Sequence, residues 1–332
     1  WYNQREQDIY LMKLYFIIVC YNNKDLLKTC LESVRKQTLK NVGVIVVDNG
    51  SKDGSAEYIK TNYKEVDLIA LKENQGFAIA NNIGIKKALK DSECQYISLL
   101  NTDATVDKDW AEVLVDFADN HPKTASLQTP TLDYYDHTIL DSRGITIDAQ
   151  GRARQLGHRE VYRKRDNQKV FGVNAAACIF TSAFLKEQVF RDDYFDHDMW
   201  MYLEDVDIAA RATMSGWDNW YIEGSFAYHM GSASSGKNPG FSVFMCYRNN
   251  LPLLIKNLPA GFLAVAILGA IATDLETLVG LARSKNLISL KAIIKGRIAS
   301  LKMVPMFVHK RRQFNKFRTI DKKSLKQLMK AA

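Results

Sequence analysis

Short apolar runs and amphipathic stretches alternate along the first hundred residues. "YFIIVC" (15–20) is unbroken and β-branched, the mark of a strand buried on both faces. Asn22 or Asn23 then offers a helix cap for "KDLLKTCLESVRKQ", where Leu26, Leu27, Cys30, Leu31 and Val34 recur at helical spacing. "VGVIVVD" (42–48) predicts a second buried strand, and "NGSKDGS" behind it is dense in turn residues. A helix near 54–62, a strand in "VDLIALK", a loop and helix in "NQGFAIANNIGIKKALK" and a fourth strand in "YISLL" continue the series. Strands alternating with helices predict an α/β chain with a Rossmann-like, mostly parallel sheet and helices on both faces. Its polar strand ends, Asp48 and Asn101-Thr102-Asp103, fall along one edge, where open α/β sheets bind ligands.

Beyond Trp110 the pattern loosens, and residues 130–170 are polar and turn-rich. "VFGVNAAACIFTSAFL" (170–185) predicts a strand that meets a helix closely. "MYLEDVDIAARATMSGW" (201–217) predicts a helix with acids in its first turn and Gly216 past its end. "WYIEGSFAYH" is expected to form one last strand feeding the loop "MGSASSGKNPG". From Asn257 to Thr273 there are 17 residues without a charge, bracketed by Lys256 and Asp274. That falls short of the about 20 apolar residues of a spanning helix, so a re-entrant or interfacial segment is expected. "LISLKAIIKGRIASLKMVPMFVHKRRQF" mixes apolar and basic residues at helical spacing, as an amphipathic helix lying on a membrane would.

Composition sharpens this picture at three points. The 47% hydrophobic and 25% charged fractions exclude a disordered chain. Five cysteines are scattered without a C-x-x-C pair, which argues against a disulfide framework or zinc knuckle and for a reducing compartment. The net charge of +8 is unevenly placed: residues 283–330 hold 15 Lys/Arg and one acid, Asp321, so this tail carries +14 and the remainder −6. An acidic body with a basic tail calls for an anionic partner, lipid or nucleic acid. Aromatic residues hardly interleave with these charges, so an anionic membrane surface is expected and nucleic acid is not. The opening "WYNQREQDIYL" has mixed charge and no apolar core of signal length, so no secretory signal is expected, and Met12 is a candidate natural start.

Four clusters carry candidate chemistry. Tyr21-Asn22-Asn23 follows the first strand and Asp48 ends the second; the carboxylate can accept from a base N–H and the ring can stack on a base, although turn and cap chemistry alone would select the same residues. Asn101-Thr102-Asp103 offers a hard cation one carboxylate and leaves positions open for phosphates. Glu204-Asp205 with Asp207 opens a helix. Asp207 and Arg211 are spaced as a helix-surface ion pair, whereas Asp205 shares a face with Ile208, Ala209 and Ala212 and suits a general base of raised pKa, or an acid favouring the helix dipole. His229 ends a strand before a Gly/Ser loop able to close over phosphates, the setting of a metal ligand.

In order along the chain, "FIIVCYNNKDLLKTCLESVRKQT", "VIVVDNGSKDGS", "ENQGFAIANNIGI", "LLNTDA", "YLEDVDIAARATMSGW" and "YHMGSASSG" resemble the inverting glycosyltransferases of family 2, with a GT-A fold. The resemblance runs from about Tyr15 to Asn250, and "YRNNLPLLIKNLP" onward is similar to a membrane-associated branch containing bacterial rhamnosyltransferases that act on lipid-linked glycans. It implies a nucleotide-sugar-binding half at 12–110, an acceptor-binding and catalytic half at 111–250, and a membrane-associated helical region at 251–332. It places Tyr21, Asn23 and Asp48 around the base and ribose, and Asn74, Gly76 and Asn82 beside the nucleotide sugar. Asn101 and Asp103 stand at the family's N-x-D metal motif, His229 completes the sphere of Mn²⁺ or Mg²⁺, Asp205 is the base, and Glu204 and Trp200 lie on the acceptor side. The implied reaction moves one sugar from a nucleoside-diphosphate sugar, with dTDP-L-rhamnose the expected donor, to a lipid-linked glycan at the cytoplasmic face of the membrane. Ile79-Ala80 and "VNAAACIF" depart from the family's small and glycine-containing patterns and leave the sugar open, while the absence of Q-x-x-R-W argues against a processive synthase. A UDP-sugar transferase and an inert nucleotide-sugar-binding scaffold remain alternatives.

Overall fold

The computed structural model describes residues 13–188, 193–231 and 239–330. The expectations for residues 1–11 and for the middle of the Gly/Ser loop (232–238) lie outside the described residues. In chain order the first half runs β1 (Leu14–Cys20), α1 (Lys24–Arg35), β2 (Val42–Asp48), α2 (Ser55–Asn62), β3 (Asp67–Ala70), α3 (Phe77–Ala88), β4 (Tyr96–Leu100), β5 (Ala104–Val106) and α4 (Trp110–Asp119). There follow β6 (Thr124–Gln128), β7 (Thr131–Asp133), β8 (Leu140–Ser142), β9 (Ile145–Ile147), β10 (Ala153–Gln155), β11 (Gln168–Val170), β12 (Ala177–Thr181), α5 (Ser182–Glu187) and α6 (Glu204–Met214). The chain ends with β13 (Asp218–Tyr221), β14 (Ala227–His229), α7 (Pro239–Asn257), α8 (Ala260–Arg283), α9 (Leu287–Phe314) and α10 (Lys322–Lys330).

The main sheet has the order β11-β13-β6-β12-β4-β1-β2-β3. β3, β2, β1 and β4 are mutually parallel, whereas β12 runs antiparallel to both β4 and β6, so the sheet is mixed rather than uniformly parallel. Alternation along β1 explains the layering. Leu14, Phe16, Ile18 and Cys20 face α1, α2 and α4, while Ile17 faces α3, α5 and α6. A second sheet, β5-β14-β7-β8, flanks the first. The single strand expected in "WYIEGSFAYH" is therefore two, because Glu223-Gly224 breaks the run and sends β13 and β14 into different sheets.

α6 is buried on two sides. Ile208 and Ala212 pack on the main sheet, while Val206, Ala209 and Ala210 join Leu253, Leu254, Met303 and Phe307 of α7 and α9 in a further apolar core. Within this core the expected surface pair Asp207–Arg211 is buried: neither side chain is more than 3% exposed. The reason is a wider network. Lys256 bridges Asp196 (2.6 Å) and Asp207 (2.8 Å), Lys310 contacts Asp196 and Asp198, and Asn257 donates to Asp207 (2.8 Å). Burial alone would raise the Asp196 carboxyl, but Lys256 and Lys310 outweigh it and hold it well below the ordinary range.

The C-terminal helices also depart from expectation. α8 continues through Asp274 to Arg283 and is, among the described residues, the one helix long and apolar enough to cross a membrane, with little of it buried. Asp274 does not end it because Arg297 of α9 pairs with that carboxylate at 2.6 Å. α9 presses on α7 so closely that a Cβ at Gly296 would lie 2.7 Å from the Phe244 carbonyl oxygen. Its basic C-terminal half is thus partly internal, with Lys310 only 2% exposed. Removing one partner of a buried ion network leaves the other charges uncompensated. Lys310→Met is expected to lower unfolding free energy by about 3–5 kcal/mol in urea titrations; a loss below about 1 kcal/mol, the scale of a surface pair, would refute the burial of this network.

Candidate active site

The carboxyl ends of β1, β2 and β4 form the edge at which most candidates gather. Cys20 and Asp48 are register partners, so the Tyr21–Asn23 loop starts beside Asp48. Tyr21 is exposed here. Asn23 begins α1, but its side chain makes no cap bond; its amide donates instead to Thr102 at 3.1 Å, tying the β1 loop to the loop after β4. Asp48 is 2% exposed, and its Oδ2 accepts from the Ser51 amide. Its Oδ1 is buried without a hydrogen-bond partner. A buried acceptor left unmade costs free energy, so this oxygen suits a ligand donor such as a base N–H or ribose hydroxyl.

Asn49, in a stretch with the composition of a turn, is a hub. Its amide donates to Asn74 Oδ1 (3.0 Å) and the Gly76 carbonyl (3.2 Å), and its own carbonyl accepts from the Gln75 amide (2.8 Å). Asn74 accepts in turn from Gly76 N–H at 2.9 Å. Asn74 and Gly76 are thereby fixed beside Asp48. Gly76 has φ +85°, and a Cβ there would meet the Trp200 indole at 2.6 Å, so glycine is required twice over.

Asp103 leaves β4 in the turn before β5. Antiparallel pairing of β5 with β14 sets His229 opposite Ala104, and this register brings His229 Nε2 to 3.4 Å from Asp103 Oδ1. The other ring nitrogen meets Asp141 Oδ2 of β8 at 3.0 Å. Burial opposes a charge on His229, but the Asp103 and Asp141 carboxylates outweigh it and push the imidazole up to about 10. A carboxylate and an imidazole oriented by a second carboxylate make a donor set that fits a divalent cation, which would displace the proton between them. Among the described residues no group of three or more His, Cys, Asp or Glu side chains suits a metal, so further ligands would come from phosphate and water.

Glu204 and Asp205 open α6 with Asp207, and all three acids sit in its first turn. Asp205 is half-buried and accepts from the Val206 amide (2.8 Å) and from the Ala175 backbone. Burial raises its carboxyl to about 6. Glu204 is 6% exposed with Oε2 unpartnered, and burial together with the Asp205 charge pushes it up to about 8. Residues 175–176 join this pair to the metal edge, because Ala176 accepts from Asn101 N–H at 2.8 Å while Ala175 bonds Asp205.

This geometry has counterparts among known proteins. The family model described as glycosyl transferase family 2 matches residues 15–193, more than half of the chain. The chain belongs to glycosyl transferase family 2. The poly-β-1,6-N-acetyl-D-glucosamine synthase of Staphylococcus aureus is 27% identical over 206 residues, covering 61% of this chain and 46% of that protein. GalNAc-T7 solved with UDP, GalNAc and Mn²⁺ superposes with TM-score 0.57 at 15% identity, covering 75% of this chain and 48% of that one. The mannosyltransferase PcManGT from Pyrobaculum calidifontis, solved with GDP-Man and Mn²⁺, gives 0.53 at 14% identity, with 92% and 85% covered. These likenesses establish the GT-A fold. The chain spans between 14% and 46% of the first curated relatives it matches.

Within this family 2 chain the expected set is brought together with one displacement. Tyr21, Asn23, Asp48, Asn74, Gly76, Asn101 and Asp103 share the sheet edge, His229 meets Asp103, and Trp200 packs on Gly76. Asn82 is placed differently. Its amide donates to the Phe195 carbonyl (2.8 Å) and Asp193, and its oxygen accepts from the amides of Tyr194 and Phe195, so it ties α3 to segment 193–195 instead of facing a sugar. Asn49 and Asp141 act here unforeseen; only the polar strand end at Asp48 and the turn-rich stretch 130–170 hinted at them. Gly76→Ala is expected to cost about 1–3 kcal/mol of stability and to shift tryptophan emission as Trp200 is displaced. Unchanged emission at full stability would contradict the Gly76–Trp200 contact.

Proposed function

We propose that this chain transfers one glycosyl unit, with inversion, from a nucleoside-diphosphate sugar to an acceptor hydroxyl. The observation that carries the reading is that adjacent residues, Ala175 and Ala176, bond Asp205 and Asn101, which ties the start of α6 to the strand end that carries Asp103 and its partner His229. Tyr21, Asp48 and the Asn49-braced loop hold the nucleotide. Asp205 removes the acceptor proton, the freed oxygen forms a bond to the anomeric carbon, and the bond to diphosphate breaks on the opposite face. A carboxyl near 6 is ionised at neutral pH yet basic enough to take that proton. Glu204, near 8, remains protonated there and can donate a hydrogen bond to the acceptor without adding a second charge. Mn²⁺ or Mg²⁺ held by Asp103 and His229 would stabilise charge on the leaving diphosphate.

The donor reading, dTDP-L-rhamnose, and the lipid-linked acceptor of cell-surface polysaccharide synthesis rest on the resemblance of the segment from Tyr247 onward. Calorimetry with dTDP-rhamnose, UDP-sugars and GDP-mannose, with and without Mn²⁺, tests the donor. Asp103→Ala is expected to abolish metal-dependent binding. Asp205→Asn is expected to keep donor binding and lower kcat by about 10²- to 10⁴-fold, and wild-type kcat to fall below about pH 6 as Asp205 protonates. Full activity in Asp205→Asn would remove the base, and donor binding without turnover in wild type would leave an inert scaffold.

We also place the protein at the cytoplasmic face of the membrane. Val265, Leu268, Ile271, Leu275 and Val279 are exposed at helical spacing on α8, as are Ile294, Ile298 and Leu301 on α9. Lys291, Lys295 and Lys302 are exposed on α9 as well, which suits anionic lipid. All five cysteines are free, in keeping with a reducing compartment. The triple change Leu268→Ser, Ile271→Ser, Leu275→Ser is expected to reduce flotation with phosphatidylglycerol vesicles by about tenfold or more while the fold persists. Undiminished flotation would refute this surface.

A further inference from the structure

Three residues just before Glu204 hold a conformation that their own sequence does not favour. Trp200, Tyr202 and Leu203 have φ of +60°, +67° and +68°, and none is glycine. Such backbone is strained for residues with a Cβ, so something outside the segment must impose the shape. The segment is also where donor and acceptor sides meet. The Trp200 indole covers Gly76, its carbonyl accepts from Ala78 N–H at 3.1 Å at the start of α3, and the Leu203 carbonyl accepts from Asp207 N–H at 2.9 Å as the first bond of α6.

The constraint comes from α7. Asn249 is fully buried, and its side-chain amide donates to three carbonyls of this loop: Met199 (2.7 Å), Met201 (2.9 Å) and Tyr202 (2.7 Å). Arg248 donates to Asn249 Oδ1 at 2.6 Å, which fixes the orientation of the amide, since a guanidinium can pair only with its oxygen. The N–H pair is therefore committed to the loop. The Met199 carbonyl also accepts from the Met201 N–H (2.7 Å) and from Arg248 (3.4 Å), so Asn249 is what joins it to the Met201 and Tyr202 carbonyls in one clasp.

We propose that Asn249 is a positioning residue for the transfer reaction: by binding the Met199, Met201 and Tyr202 carbonyls it holds the left-handed loop that aims Asp205 and keeps Trp200 over the donor loop at Gly76. The inference rests on the reading of Asp205 as the base. It makes α7 part of the catalytic apparatus, and it separates Asn249 from its neighbour Asn250, which is also buried but donates to Gly151 (2.7 Å) and does not touch the loop. Asn250 is thus an internal control for loss of a buried amide in the same turn of the same helix.

The test compares Asn249→Ala, the isosteric Asn249→Asp and Asn250→Ala in the full chain. Asn249→Asp keeps the volume but has no N–H to donate and turns a charge on three carbonyls, so it should be at least as damaging as alanine. Hydrogen exchange over residues 199–207 needs no turnover and is read first. Both Asn249 variants are expected to speed exchange there about tenfold or more, leaving β1, β2 and β4 protected, whereas Asn250→Ala leaves 199–207 unchanged. In kinetics, both Asn249 variants are expected to lose about 30-fold or more in kcat with donor KM within about threefold, and Asn250→Ala to keep its kcat. Unchanged local exchange in the Asn249 variants would overturn the proposal. So would equal loss of kcat in Asn250→Ala, which would reduce Asn249 to a stability element. If wild type binds donor without turnover, the assignment of the base fails, while the exchange data still decide whether Asn249 holds the loop.

Discussion

Two lysines taken out of water govern where residues 196–207 sit. Lys256 and Lys310 are 3% and 2% exposed, and the carboxylates of Asp196, Asp198 and Asp207 compensate them, with the Phe307 ring 4.7 Å from the Lys310 ammonium. A buried ammonium without its partner is far costlier than a broken surface pair, so residues 196–207 cannot drift from α7 and α9. That segment includes the left-handed loop, Glu204 and Asp205. Its two ends carry opposite electrostatics. Asp196 lies below the ordinary carboxylate range, so it contributes stability at neutral pH that is lost only in acid. Asp205 and Glu204 lie above it, so the stability they contribute in acid fades as pH rises, through about 6 for Asp205 and about 8 for Glu204. Near neutrality the paired network offsets the cost of keeping the Asp205 carboxylate half out of water.

α6 transmits this constraint because it has no free face near its start. Ile208 and Ala212 fit the sheet side, and Val206, Ala209 and Ala210 fit the C-terminal core. Gly172 lets the helix approach so closely that a Cβ there would stand 2.1 Å from that of Ala209. A helix pinned on both sides cannot rotate, so the inward setting of Glu204 and the edge setting of Asp205 follow from packing. The two adjacent carboxyls are thereby raised to different extents by their environment, Glu204 more than Asp205.

The half of the fold built from β1, β2 and β4 was legible because a strand buried on both faces announces itself as an apolar run. The placing of Asp48 and Asp103 at the sheet edge was legible because they follow such runs, and that of His229 because it ends the last strand before a Gly/Ser loop. What escaped were partners joined by side chains across long separations. Asn49 has the composition of a turn residue, and only the fold shows its amide bracing Asn74 and Gly76. Asp141 lay in a stretch without periodicity and meets His229 from 88 residues away. The burial of Lys256 and Lys310 escaped because lysine is almost never fully buried without a partner, and the partners lie 49 to 114 residues away. Asn82 was misplaced for the same reason: its spacing on α3 is right for a site, but its bonds go to the backbone at Phe195.

α9 shows why the C-terminal region resists a single description. One face, Ala292, Ile293, Gly296, Ser300, Met303, Phe307 and Lys310, is buried at spacings of one, three and four residues. A second apolar set, Ile294, Ile298 and Leu301, is exposed beside it. A helix that only packs on its own domain needs one such face, and one that only lies on lipid also needs one. α9 has both, and α8 adds an exposed apolar stripe held to it through Asp274–Arg297. The basic excess divides the same way, with Lys310 spent inside on Asp196 and Lys291, Lys295 and Lys302 left outside. The helices that would meet a bilayer on one side are therefore those that hold residues 196–207 on the other, and a membrane contact there would bear directly on the frame around Asp205.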